Sequence, residues 1–102
     1  MVKLVALYKH PEDKKAFDEH YFNIHSPLAK KMPGLKKLEV TRFVAAPMGG
    51  DAKYYLQAEM VFEDRKALDA AMASEEGRAA AKDLMGFAGK LVTMMIGEVV
   101  SE

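Results

Sequence analysis

The stretch KKLEVTRFVAAPMGGDAKYYLQAEMVF, at residues 36–62, decides the fold that this chain adopts. Apolar and polar residues alternate over residues 36–45, as expected for a β-strand with one buried face. Residues 46–51 include a proline and two consecutive glycines, which predicts a loop. Residues 54–62 are again rich in aromatic and apolar side chains and predict a returning strand. Together these segments predict a long β-hairpin.

The segment before the hairpin predicts a strand followed by two helical pieces. Residues 2–8 form a compact apolar run broken by one lysine, which predicts a strand. Pro11 suits the first position of a helix, and the two acids after it favour the positive helix end. Ser26, followed by a proline, predicts the cap of a second short helical piece that runs through Lys30. The Met-Pro-Gly sequence at residues 32–34 predicts a turn.

The segment after the hairpin predicts a second helical region and a final strand. Asp64 caps a helix that is extended or restarted at Ser74 and ends near Gly86 or Gly89. Residues 91–100 predict the last strand. The resulting order, β-α-β-β-α-β, predicts an α+β ferredoxin-like fold, in which both helical regions cover one face of a four-stranded antiparallel sheet.

Two of the predicted strands carry apolar residues on both faces. The opposed sets are Tyr54, Leu56, Met60 and Phe62 against Tyr55 and Val61 in the third strand, and Leu91, Met95 and Val99 against Val92, Met94, Ile96 and Val100 in the last. A monomer would expose one set as a contiguous apolar patch, which monomers generally avoid. Two sheets packed face to face would instead form a dimeric α/β barrel with a twofold axis. We therefore expect a homodimer, with a different partner protein as the alternative.

The composition restricts the classes of function. The 15 basic and 15 acidic residues balance, whereas nucleic acid binding normally requires a basic excess that releases counterions from phosphates. The chain has no cysteine, which excludes disulfides, thiolate metal sites and cysteine nucleophiles. The apolar stretch at residues 91–97 is too short to span a membrane, and no signal-peptide pattern is present. We expect one cytoplasmic domain, residues 1–102, that binds neither nucleic acid nor membrane.

Tyr21 and His25 form the predicted centre of chemistry. Phe17, Tyr21 and His25 are spaced i, i+4, i+8 and predict an aromatic stripe that ends in an imidazole, with Ile24 expected on the same helix face as Phe17 and Tyr21. His25 precedes the junction at Pro27, where an imidazole can titrate near neutral pH and act as a general acid or base. The alternative is that His25 only donates a hydrogen bond to a carbonyl left free at that junction.

Other polar residues have alternative roles. His20 is predicted to lie at the surface, and its spacing of five from His25 differs from the three or four that brings two ligands together on an α-helix. We therefore expect no metal, and no motif for another cofactor is present. Asp83 either reaches the site or is solvated, as charges on helices usually are. Arg42 is expected to pair with an acid such as Glu59, or else to anchor an acidic ligand.

Several segments resemble proteins of the EthD family, and together they extend over nearly the whole chain. The most specific segment is FDEHYFNIHSPL at residues 17–28, which is followed by MPGL at residues 32–35. A second region of similarity contains SEEG at residues 74–77, Asp83 and Phe87. This resemblance implies a dimeric α/β barrel, a group that includes cofactor-free monooxygenases, lactone isomerases and polyketide cyclases.

The resemblance also implies roles for individual residues. A lactone isomerase of this group is similar around His25 and residues 32–35, and by that similarity His25 would be the acid/base group and Tyr21 a neighbouring orienter. Independently of the resemblance, the eight methionines indicate an adaptable apolar interior, so the ligand is expected to be small and apolar. The residues expected to contact it are Tyr8, Phe17, Leu28 and Phe87.

Three functions remain open from the sequence. The first is a cofactor-free enzyme of small-molecule catabolism, an oxidoreductase, isomerase or lyase, in which His25 transfers a proton. The second is a non-catalytic accessory protein of an oxidative degradation pathway that binds such a compound, and the third is a structural dimerisation module. A pocket beside His25, walled by Phe17, Tyr21 and the first strand, would favour the first two.

Overall fold

The computed structural model describes residues 1–102 and contains one four-stranded antiparallel sheet with order β2-β3-β1-β4. The elements are β1 (Val2–Tyr8), α1 (Lys14–His20), a π-helical turn (Tyr21–His25), α2 (Ser26–Ala29), β2 (Lys37–Arg42), β3 (Leu56–Phe62), α3 (Arg65–Ala73), α4 (Glu75–Ala88) and β4 (Val92–Glu98). The helices lie on one face of the sheet, so the predicted ferredoxin-like fold is confirmed. None of these helices has the length and apolar character needed to cross a membrane.

The central strand β1 alternates between the face covered by helices and the open face. Leu4, Ala6 and Tyr8 are buried against the helices, whereas Val5 and Leu7 are half-buried on the open side. β3 repeats this alternation, and its buried side chains continue the core. The largest fully buried side chains are Tyr8, Tyr21, Phe62, Leu56 and Leu68.

The first helix begins later than its proline predicts. α1 starts at Lys14, because Asp13 has an extended backbone and its Oδ1 accepts a hydrogen bond from the Ala16 N–H at 3.0 Å. Pro11 is buried before the helix instead of opening it. The cap predicted at Asp64 is confirmed, because its side chain accepts a hydrogen bond from a backbone N–H of the following helical turn. Of the two alternatives at Ser74, the helix restarts there, and the Ser74 side chain caps the new helix in the same way.

The helical run from α1 through α2 is continuous, and Ser26 is not a cap. Its backbone is helical, and its N–H donates to the carbonyl of Tyr21, five residues earlier, instead of leaving a break. This π-helical turn rotates the buried face. Phe17, Tyr21 and His25 are buried as predicted, but Ile24 is 49% exposed, so its predicted place on the buried face is wrong.

The predicted hairpin is correct in topology but its strands are shorter. β2 ends at Arg42 and β3 begins at Leu56, with one further backbone hydrogen bond from Phe43 N–H to the Tyr55 carbonyl, at 3.0 Å. Beyond it the chain leaves the sheet for a turn that contains Gly49 at φ +98° and its neighbouring glycine at φ +85°. Such angles favour glycine and are incompatible with a continuing strand.

The open face of the sheet is only partly apolar, which corrects the prediction of two apolar faces. Val5 pairs across the sheet with Glu59 on one side and Met95 on the other, so apolar and charged side chains share a row. Lys3 binds Glu59 on this face at 2.9 Å. Met94 and Ile96, by contrast, lie on the helix side of the edge strand β4 and are 36% and 45% exposed.

Candidate functional site

The π-helical turn brings together two histidines that an α-helix would separate. Its hydrogen bonds join residues five positions apart, as in the bond from Ser26 N–H to the Tyr21 carbonyl. Residues i and i+5 therefore lie close to one face, and His20 and His25 both point toward α4. π-helical turns inside α-helices occur frequently at functional sites. The turn therefore places the two imidazoles on the same side of the helix.

Asp83 of α4 bridges the two histidines through separate carboxylate oxygens. Oδ2 lies 3.0 Å from His25 Nδ1, and Oδ1 lies 2.8 Å from His20 Nε2. The side chains become more exposed along this bridge, from 8% at His25 through 18% at Asp83 to 31% at His20. Phe87 packs beside both imidazoles, stacked on His20 with ring centroids 4.3 Å apart.

One ring nitrogen of His25 is held by a hydrogen bond, and the other makes no hydrogen bond with the protein. A carboxylate only accepts hydrogen bonds, so Nδ1–H donates to Asp83 and the neutral ring has its lone pair on Nε2. Burial lowers the pKa of His25, although the hydrogen bond and charge of Asp83 oppose this effect. The imidazole is therefore neutral at physiological pH and can accept a proton at Nε2.

Two tyrosine hydroxyls lie near this imidazole without a hydrogen-bond partner in the protein. Tyr8 and Tyr21 are each 1% exposed. Every side-chain oxygen or nitrogen that is fully buried has a hydrogen-bond partner, so these two unpartnered hydroxyls are not fully buried. Their hydroxyls must therefore border accessible space. Burial raises the pKa of Tyr21 to about 12, and burial, with Tyr21 and Asp83 nearby, raises that of Tyr8. Both remain neutral hydrogen-bond donors across the physiological pH range.

The accessible space is a cavity of about 80 Å³ between the sheet and the helices. Tyr8, Tyr21 and His25 are its polar lining side chains, and nearly all the others are apolar. Five of the eight methionines line it, namely Met32, Met60, Met72, Met85 and Met94. Met85 and Met94 are 57% and 36% exposed, so the cavity reaches the surface between α4 and β4.

Some of the residues predicted for the site line the cavity, and others pack behind its lining. Tyr8, Tyr21 and His25 line the cavity directly. Phe17 and Phe87 pack behind them, with Phe17 edge-to-face against Tyr8 at 5.4 Å and tilted against Phe87 at 5.6 Å. Leu28 is outside the lining and packs against a group of buried residues that includes Phe62 and Leu68. The roles assigned to these residues stay predictions.

The structure corrects two predictions about the remaining polar residues and decides between the two alternatives left for a third. His20 is half-buried and part of the site, not a surface residue, because the π-helical turn aligns it with His25. Of the two alternatives for Asp83, the structure supports the one in which its carboxylate reaches the site. Arg42 binds Asp18 at 3.1 Å and not Glu59, whose partner is Lys3. Regular helical periodicity does not predict that His20 and Asp83 lie in the site, because both positions depend on the π-helical turn.

The site offers hydrogen-bond donors and a proton acceptor but no metal centre. No group of three or more histidine, aspartate or glutamate side chains is arranged to hold a metal ion. His20 and His25 instead direct one nitrogen each at the same carboxylate. The arrangement can hold a small apolar molecule, donate hydrogen bonds to an oxygen on it and exchange a proton with it at His25.

Other structures of this fold include proteins with distant sequences. A dimeric ferredoxin-like protein from Jannaschia is 20% identical, with a TM-score of 0.68, covering 96% of this chain and 98% of that one. SnoaB from Streptomyces nogalater, a cofactor-independent oxygenase, is 16% identical, with a TM-score of 0.67, covering 99% of this chain and 93% of that one. At these identities the likeness concerns the fold alone.

Closer similarities identify the family. Residues 9–90 match the model of the EthD domain. An EthD family protein from Bacillus halodurans is 58% identical and superposes with a TM-score of 0.94, covering 98% of this chain and 99% of that one. An uncharacterized 11.0 kDa protein from the thcB–thcC intergenic region of Rhodococcus erythropolis is 36% identical over 95 residues, which are 93% of this chain and 91% of that protein. The chain therefore belongs to the EthD family.

Proposed function

We propose that this protein binds a small, mostly apolar organic compound in the cavity beside His25 and that His25 transfers a proton to or from it without a cofactor. The observation that carries this proposal is a buried, neutral imidazole with Nδ1 held by Asp83 and Nε2 free, in an otherwise apolar cavity. A positioned base with this tautomer is what general acid–base catalysis requires. The fold is shared with SnoaB, a cofactor-independent oxygenase.

The two tyrosines suggest which functional group the compound carries. Their hydroxyls are neutral donors without protein acceptors, so they match an acceptor oxygen such as a carbonyl. His25 Nε2 would take a proton from the carbon next to that carbonyl. The electron pair left by the broken C–H bond moves onto the oxygen, where the tyrosine O–H groups stabilise it. Return of the proton to another atom of the compound completes an isomerase reaction. If the enolate carbon instead attacks a second carbonyl of the same molecule, that carbonyl oxygen takes the electron pair and the proton, which completes a cyclase reaction.

The cavity dimensions limit the size of the compound. At about 80 Å³ the cavity is smaller than the roughly 150 Å³ engineered cavity that holds benzene. Methionine side chains are flexible and adapt their packing, and five of them line this cavity. We infer that ligands of a few non-hydrogen atoms fit directly and that larger ones displace methionine side chains at the mouth, where Met85 and Met94 are exposed.

The working form is proposed to be a cytoplasmic homodimer that forms an α/β barrel through the open face of the sheet. Val5, Leu7, Val61 and Met95 supply its apolar part. Glu39 and Glu59 face each other across β2 and β3, and each is bound by a lysine on the same face, Lys37 or Lys3. A mixed face of this kind suits a symmetric partner with its own charge pairs. The Jannaschia protein of this fold is dimeric.

The experiment that tests this proposal measures proton abstraction directly. Cyclopentanone in D₂O exchanges its α-hydrogens for deuterium when a base removes them, and NMR follows the exchange. We expect the wild-type protein to accelerate the exchange and His25→Gln to abolish the acceleration while still binding cyclopentanone. His10→Gln is the matched control, because His10 is exposed and binds only the Ala52 carbonyl, away from the cavity.

Two other outcomes are informative. If wild-type and His25→Gln bind the ketone equally and neither accelerates exchange, the protein is a non-catalytic accessory protein that shields or delivers its ligand. The small, predominantly apolar cavity favours this second function. If neither protein binds cyclopentanone, nor any compound that mass spectrometry identifies in protein recovered from cell extract, the cavity is not a ligand site and the proposal is wrong.

A further inference from the structure

We infer that His20 and His25 titrate as one coupled pair through Asp83, in which His20 holds the proton and keeps His25 neutral on the cavity side. His20 is then a positioning residue that acts on the site through Asp83 and does not itself contact a ligand. The purpose of this arrangement rests on the proposed function, since a neutral His25 is the proton acceptor there. The protonation states themselves belong to the ligand-free protein and can be measured in it.

The geometry makes the two imidazoles compete for one negative charge. Asp83 receives a hydrogen bond at each oxygen, at 2.8 Å from His20 and 3.0 Å from His25. A single carboxylate compensates one imidazolium, and a second positive charge beside it would be repelled by the first. Groups coupled in this way lose their protons in steps that belong to the pair. The pair therefore holds one shared proton over a range of pH.

Two observations place that proton on His20. The side chain of His20 is 31% exposed and that of His25 is 8% exposed, so a charge on His20 loses less hydration. The ring of Phe87 also stacks on His20 at 4.3 Å with an angle of 23° between the planes. The face of an aromatic ring carries negative potential and stabilises a cation placed over it. His25 meets the same ring only at a tilt of 48°.

The consequence is that His25 remains a base at lower pH than it otherwise would. The titratable groups around it are Asp83 from α4, His20 from α1, and the neutral hydroxyls of Tyr8 and Tyr21. A protonated His20 opposes the attraction that Asp83 exerts on an imidazolium at His25. Burial is then the largest influence on the protonation state of His25, and it favours the neutral ring. Without His20, Asp83 would support a proton on His25.

The test is an NMR titration of the histidine ring protons in the ligand-free protein. His20→Gln keeps a side-chain N–H donor for Asp83 but removes the charge. We expect the midpoint of His25 to rise by about one pH unit in this variant. His10→Gln assigns the third histidine signal and should leave the His25 midpoint unchanged. A His25 titration in His20→Gln that superimposes on that of the wild type overturns the inference.

Two further variants keep the inference testable. Phe87→Leu removes the ring face and keeps the apolar volume, so the midpoint of His20 should fall. If circular dichroism shows that His20→Gln is unfolded, Phe87→Leu alone tests the inference. An unchanged His20 midpoint in Phe87→Leu then overturns it. Asp83→Asn is the second variant. When His20→Gln is added to Asp83→Asn, the midpoint of His25 should move much less than it does when His20→Gln is made in the wild-type protein. If the expected titration shift occurs but the protein does not accelerate ketone exchange, only the proposed function is contradicted. If the protein accelerates exchange but the titration shift does not occur, only this inference is contradicted.

Discussion

The ring of Tyr8 meets the ring of Tyr21 edge to face, with centroids 5.7 Å apart and planes at 80°. Tyr8 ends the central strand β1 and Tyr21 opens the π-helical turn, so this contact joins the sheet to the helical layer at the cavity. Neither hydroxyl bonds to the protein. Two donors are thus held in place by ring packing while their O–H groups stay available to a ligand.

Replacing Tyr21 with Phe should weaken ligand binding without destabilising the fold. The variant keeps the ring contacts and removes a hydroxyl that has no protein partner, so stability should be unchanged or slightly higher. The affinity for cyclopentanone should fall about two- to tenfold, which corresponds to the loss of one hydrogen bond. The affinity for cyclopentane, which has no oxygen, should be unaffected. Calorimetric titration of both compounds measures the difference.

Tyr55→Phe provides the matched control for this prediction. The Tyr55 hydroxyl donates to Asp18, with oxygens at 2.8 and 3.0 Å, and the residue is outside the cavity lining. Its removal should lower the free energy of unfolding by about 1–2 kcal/mol and leave cyclopentanone binding unchanged. The prediction for Tyr21 fails if Tyr21→Phe instead resembles this control, with stability lost and affinity retained.

The sequence was sufficient for the fold because the fold depends on regular periodicities. Strand alternation and the cap at Asp64 predicted the element order, and residues 2–8 were predicted with the correct bounds. The stripe of Phe17, Tyr21 and His25 also indicated the buried helix face. These features are local, and each needs only a few residues to be recognised.

The site was predicted only in part because it depends on an irregular helix and a distant contact. A π-helical turn has no known sequence signal here, yet it moves Ile24 to the surface and His20 into the site. Asp83 is 58 residues from His25, so only the packing of α4 against the π-helical turn shows that they bind. Helical periodicity assumes a constant number of residues per turn, and that assumption fails at the candidate site.

The stability of the protein should decrease at acidic pH because of His25. Burial lowers its pKa from the ordinary value of 6.5, so below that pH the unfolded chain binds the proton more readily than the folded protein does. The contribution is fully present above pH 6.5 and is lost as the pH falls toward the lowered value. Urea denaturation of His25→Gln should therefore show a flatter dependence on pH below about 6.5 than the wild type. Equal slopes would contradict this assignment.

Two glycines of α4 should respond to alanine in opposite ways. A Cβ at Gly77 would overlap the carbonyl oxygen of Ala71, where α3 and α4 meet, whereas a Cβ at Gly86 meets open space. Gly77→Ala should lower the free energy of unfolding by about 1–3 kcal/mol through backbone displacement. Gly86→Ala should raise it by about 0.5–1 kcal/mol, because alanine loses less backbone entropy in a helix. Urea denaturation of both variants provides the comparison, and equal effects would refute the packing argument.

The proposed dimer predicts that one charge on the open face of the sheet separates the subunits. Leu7 is half-buried there, with Gln57 and Thr93 opposite it on the neighbouring strands. Leu7→Asp should sediment as a single chain where the wild type sediments as two, because an unpaired carboxylate would be desolvated in the interface. Val44→Asp is the control, since Val44 lies in the hairpin loop and is 89% exposed. A wild-type protein that sediments as one chain at micromolar concentration would contradict the dimer.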